Sequence, residues 1–98
     1  MILEVAILDV KPNFEQEFEN SFQEAESIII AMNGYISHQL SRCLERSNRY
    51  IFLVNWNTLE DHIEGFRESP EYQQWKKLLH HYYEPFPNVE HYEYVMGN

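Results

Sequence analysis

Apolar residues along this chain follow two rhythms, and the switches between them mark the elements. From Ile2 to Val10 they fall on both parities, with Ile2, Ala6, Leu8 and Val10 on one and Leu3, Val5 and Ile7 on the other. A strand apolar on both faces has to be covered on both. Lys11-Pro12-Asn13 breaks the run, and Asn13 with Gln16 reads as an N-cap box. From there the spacing becomes three to four: Phe14, Phe18, Phe22, Ala25, Ile29 and Met32. Glu15, Glu17, Glu19, Glu24 and Glu26 fill the opposite face, which reads most simply as a solvated surface. Asn33-Gly34 stops the helix, with Gly34 free to turn left-handed.

Tyr35–Leu44 and Arg49–Trp56 then read as a hairpin around Glu45-Arg46-Ser47-Asn48. In its second strand Tyr50, Phe52, Val54 and Trp56 share one face, with Ile51, Leu53 and Asn55 on the other. Asn57 or Thr58, each with an acid three residues later, caps a short helix. Ser69-Pro70 starts a longer one, in which Tyr72, Trp75, Leu79 and Tyr82 recur at helical spacing until Pro85 and Pro87. Val89–Met96 is the last strand, with Tyr92, Tyr94 and Met96 opposite Val89, His91, Glu93 and Val95.

The predicted order β-α-β-β-α-α-β, with right-handed crossovers, gives an α+β, ferredoxin-like fold. It has a four-stranded antiparallel sheet with the helices on one face. No element remains to cover the other face. A second copy is the simplest cover, so the pattern predicts a symmetric homodimer whose two sheets close a barrel.

Composition narrows the partners. Ninety-eight residues make one domain, 1–98, and one this small gains from association. A hydrophobic content of 44% argues against disorder. The net charge of −9, without a basic stripe, excludes nucleic acid and anionic membrane surfaces as expected partners. No apolar run approaches a membrane span, and Met1–Val10, carrying Glu4 and Asp9, reads as a strand and not a signal peptide. The lone Cys43, read as a strand hydrophobe, fits a cytoplasmic protein without disulfides.

Chemistry concentrates between Trp56 and Tyr92, which hold both tryptophans and four of the five histidines. There is no phosphate loop, cysteine pair or nucleophile elbow. His80 and His81 point about 100° apart on a helix and cannot share a metal. His91 and Glu93 share a strand face and His38 lies on another strand, which is too little to predict a metal site.

Four features resemble the antibiotic biosynthesis monooxygenase family over nearly the whole chain: the order of elements, the strand ending in Trp56, the segment His62 … Gly65-Phe66-Arg67-Glu68-Ser69-Pro70 … Trp75, and the closing Val89-Glu90-His91-Tyr92. The resemblance implies a dimeric α+β barrel and a small-substrate pocket between helices and sheet. Members that oxidise polycyclic phenols use no metal, flavin or haem. Others degrade haem, rearrange small carbonyl compounds or have no known activity.

On that footing, oxygenation without a cofactor needs a base, donors that hold the substrate anion, and a dry pocket. His62 is the candidate base, against a helix-packing or exposed histidine. Arg67 is the candidate anion holder, against a clamp to Glu64, Glu68 or Glu71. Phe66, Tyr72 and Trp75 are candidate walls for a small aromatic or enolisable substrate, against plain core, and His38 is a further candidate contact. Trp56 is expected to pack under the helices. The haem-degrading branch carries an asparagine on the first strand, and a tryptophan and a histidine on the last two helices. Here Ile2–Val10 has no asparagine, and Phe66 and Lys76 stand at the other two positions, with His80 one turn beyond. Haem degradation is therefore disfavoured. The remaining alternatives are a non-redox isomerase of a small carbonyl compound and a non-catalytic ligand-binding dimer.

Overall fold

The computed structural model describes residues 1–97, in two layers: one antiparallel sheet and the helices on its inner face. The strands are β1 (Ile2–Asp9), β2 (Tyr35–Arg42), β3 (Arg49–Trp56) and β4 (Val89–Glu93), in the order β2-β3-β1-β4. The helices are α1 (Glu15–Ile30) and α2 (Pro70–Leu79), with a short π-helix at Asp61–Phe66 and a 3₁₀ turn at His80–Tyr82. This is the expected ferredoxin-like topology, with β1 central and β4 at the edge beside it.

Period-two burial runs cleanly along β3, where Tyr50, Phe52, Val54 and Trp56 are buried. They meet Phe18, Phe22, Ala25 and Ile29 of α1 and Trp75 and Leu79 of α2 in one core. Register places Leu3, Val5 and Ile7 of β1 beside Ile51, Leu53 and Asn55 of β3 on the outer face. No described element covers that face: Ile7 is 39% exposed and Tyr92, paired with Leu3, 50%.

Three boundaries differ from the expectation. Asn13 takes a left-handed conformation (φ 75°), which asparagine tolerates, and does not cap α1. Phe14 stands at the N-cap without a side-chain bond, and Gln16 donates instead to Asn20 Oδ1 at 3.1 Å. β2 ends at Arg42, leaving Leu44 exposed in the turn. β4 ends at Glu93, because its partner β1 runs out there: Glu93 pairs with Ile2.

Gly34 is required by two separate constraints. Its φ is +83°, and a Cβ there would lie 2.1 Å from Asp61 Oδ2. Asp61 cannot yield freely, since it accepts from Thr58 N–H and Thr58 Oγ1 while Thr58 Oγ1 accepts from Asp61 N–H. Gly34→Ala is therefore expected to cost about 2 kcal/mol or more, read as a lowered midpoint in urea with an unchanged slope.

Candidate functional site

A cavity of about 400 Å³ opens between the inner sheet face and the second half of the chain. Local sequence explains how its walls are set. Thr58 and Asp61 form a reciprocal cap, after which the chain winds as a π-helix and Arg67 N–H donates to the His62 carbonyl at 3.0 Å. Such wide turns recur at functional sites, and here His62 and Phe66 both face inward and are buried. Ser69 then caps α2, accepting from Tyr72 N–H at 3.2 Å, with Pro70 at the first helical position. This entry angle brings Tyr72 and Trp75 to the cavity wall. Phe66 meets Tyr72 and Trp75 edge-on, at 5.1 and 5.6 Å between ring centroids.

The cavity floor carries the residue that sequence reasoning missed. Glu4 lies on the inner face of β1 and is only 6% exposed. Trp56 Nε1–H donates to its Oε1 at 2.9 Å, and His62 Nε2 lies 3.3 Å from the same oxygen. Burial pushes the Glu4 carboxyl up to about 7, against smaller opposing effects of the Trp56 hydrogen bond and the Arg67 charge. His62, 3% exposed, stacks on Trp56 at 5.2 Å and 19°. Its other ring nitrogen, Nδ1, lies 2.7 Å from His91 Nε2. Burial, with the Arg67 charge and His91 adding to it, pulls His62 down to about 3. His62 is thus a neutral, enclosed imidazole. The group poised to gain and lose a proton near neutrality is Glu4.

Arg67 lines the cavity and forms no ion pair among the described residues, so the expected clamp to Glu64, Glu68 or Glu71 does not form. Its charge is felt by Glu4, His62, Tyr72 and His91, which places a free cation on the wall. Tyr72 and Tyr83 also line the cavity, and burial holds both phenols protonated well above neutrality. His80 completes the rim among Tyr72, Tyr83 and Phe86, and burial lowers it to about 4.

The structure thus brings His62, Phe66, Arg67, Tyr72 and Trp75 together around one space. His38 stands apart. It lies under α1, with Nδ1 2.5 Å from Tyr35 Oη and Nε2 2.5 Å from Glu26 Oε2, in a separate shallow depression. Trp56 is fully buried beneath the helices. Lys76 is exposed on α2 and absent from the cavity wall. Among the described residues no three His, Cys, Asp or Glu side chains are grouped to hold a metal ion. Among the same described residues no helix is long and apolar enough to cross a membrane.

The family model for antibiotic biosynthesis monooxygenases matches residues 1–78. The chain is 56% identical to the uncharacterized protein YczJ of Bacillus subtilis over 95 residues, which are 97% of this chain and all of that one. A Bordetella bronchiseptica structure bearing the same family designation superposes with a TM-score of 0.92 at 32% identity, covering 97% of each chain. SnoaB, a cofactor-independent oxygenase from Streptomyces nogalater, shares the fold, with a TM-score of 0.73 at 19% identity over 99% of this chain and 93% of its own.

Proposed function

As this chain belongs to the antibiotic biosynthesis monooxygenase family, we propose that it is a cofactor-independent monooxygenase of a small, flat aromatic or enolisable substrate. The observation that carries this reading is Glu4, a buried carboxyl of pKa about 7 on the floor of an aromatic-walled cavity that also holds an unpaired arginine. A general base works best when its pKa lies near the operating pH. Glu4 therefore takes the role expected of His62, which becomes its positioning neighbour.

The steps balance without a further reductant. Glu4 carboxylate removes a proton from a CH₂ conjugated to the substrate's carbonyl, which for a phenol is its keto form, and Arg67 holds the resulting enolate or phenolate. The carbanion passes an electron to molecular oxygen, and the radical pair joins as a carbon-bound peroxide. Protonated Glu4 returns its proton to the distal oxygen. Water leaves as the remaining C–H is lost, and a carbonyl is left. One O₂ and one CH₂ become one C=O and one H₂O. Phe66, Tyr72 and Trp75 wall the flat ring and keep water from the anion.

The same reading has the protein working as a symmetric homodimer in the cytoplasm, bound to neither nucleic acid nor membrane. Leu3, Val5, Ile7, Ile51, Leu53 and Tyr92 form an apolar strip across the open sheet face. A back-to-back copy removes that strip from water.

The test is oxygen uptake with a panel of one- to three-ring phenols and anthrones, after chelation and without added flavin. The expected result is one O₂ consumed per substrate and one ¹⁸O atom retained from ¹⁸O₂. Exchange of solvent deuterium into a carbonyl substrate, without oxygen uptake, would instead assign the site to proton transfer alone. Binding with neither reaction would make the protein a ligand-binding module.

A further inference from the structure

We propose that Glu4, His62 and His91 form a proton relay, through which the base on the cavity floor exchanges protons with solvent behind the bound substrate. The inference deepens the reading of Glu4 as the base and rests on it for its catalytic arm. A carboxyl at the bottom of a cavity is cut off from water once a flat substrate lies over it. A complex formed while Glu4 carries a proton then stays inactive unless that proton leaves another way.

The fold supplies such an exit. Glu4 and His91 are register partners on β1 and β4, both directed to the inner face. His62 reaches down from the π-helix between them, with Nε2 3.3 Å from Glu4 Oε1 and Nδ1 2.7 Å from His91 Nε2. Exposure rises along the row, from buried Glu4 and His62 to part-exposed His91 on the edge strand. Trp56 holds both ends of the first step, donating to Glu4 Oε1 and stacking on the His62 ring. The other titratable or charged groups facing Glu4 are Arg67, Tyr72 and Tyr83. Arg67 opposes a lasting imidazolium at His62 or His91, which favours passage over trapping.

The transfer is a shift of tautomers. With Glu4 protonated, its O–H donates to His62 Nε2, while His62 Nδ1–H donates to His91 Nε2. As the proton leaves Glu4, His62 gains hydrogen at Nε2 and loses it from Nδ1. His91 gains it at Nε2 and releases its own Nδ1 proton to water. One proton moves from carboxyl to solvent, and the reverse sequence returns one and resets both rings.

Two measurements test this, and they fail separately. In the free protein, ¹⁵N spectra of the histidine rings should show His62 changing from the Nδ1–H to the Nε2–H tautomer as pH rises through the Glu4 midpoint, about 7. Glu4→Gln should hold one tautomer throughout. A His62 tautomer that stays constant from pH 5 to 9 overturns the relay. In oxygen uptake at pH 6, where about nine in ten Glu4 carboxyls hold a proton, His91→Ala should lower kcat about tenfold, short of the 10²–10⁴ carried by a base itself, with KM within twofold. Added imidazole should restore most of the loss, which a purely structural defect would not allow, and absence of rescue overturns the relay. A tautomer switch in a protein that oxidises nothing keeps the relay and removes the oxygenase reading.

Discussion

Glu4→Gln is expected to cripple turnover and, above neutral pH, to make the protein more stable. The loss should be about 10²-fold or more in kcat, the range for removing a positioned base. The stability gain follows from the same burial. In the folded chain Glu4 holds its proton up to about 7, against an ordinary value of 4.5. Below 4.5 the carboxyl is protonated in both states, so it adds no pH dependence. As pH rises from 4.5 the unfolded chain releases the proton first, and the folded state loses stability until pH passes 7. The loss then stays constant at roughly 3 kcal/mol. Glutamine keeps the shape and a hydrogen-bond acceptor for Trp56 without the charge. Urea midpoints of the two proteins should nearly coincide at pH 4 and separate in favour of the variant at pH 8. A variant less stable at pH 8 by 3–5 kcal/mol would mean that Glu4 and His62 form a true ion pair, because removing one partner then strands the other.

Leu53→Glu is expected to split the proposed homodimer. Leu53 lies mid-sheet on the open face, paired with Val5 on one side and Gln39 on the other. In a two-fold interface the change appears twice, placing two like charges near each other in a dry apolar contact. The dissociation constant should rise at least about 100-fold, or about 2.7 kcal/mol. Sedimentation equilibrium at micromolar concentration should give twice 11.9 kDa for the parent chain and a single copy for the variant. A parent chain that sediments as one copy contradicts the covered-face argument outright.

The fold was legible because its signals are local. Alternation in β3, the three-to-four spacing of α1, the Ser69-Pro70 start and the Gly34 turn each depend on neighbours in sequence, and each appears where expected. The site was legible as a neighbourhood, since Phe66, Arg67, Tyr72 and Trp75 share one short stretch. Its chemistry was less so. Glu4 shares the parity of Ile2, Ala6, Leu8 and Val10, and an acid on a core-facing parity is the signal that could have found it. Its elevated pKa depends on burial, which sequence does not measure. Burial likewise lowers His62 to about 3, so that the imidazole stands neutral beside Glu4. The pairing of Glu4 with His91 spans the whole chain and exists only because β4 lies beside β1. His38 missed the cavity for the converse reason: β2 lies at the opposite edge of the sheet, under α1.

The proposed chemistry requires that the carboxyl under the aromatic walls titrate near neutrality. The most direct measurement is the pH dependence of the Glu4 side-chain carboxyl ¹³C shift, assigned by its loss in Glu4→Gln. A midpoint near 7 is the predicted result. A midpoint at the ordinary 4.5 would leave the cavity without a base matched to neutral pH, and the proposed chemistry would fall with it.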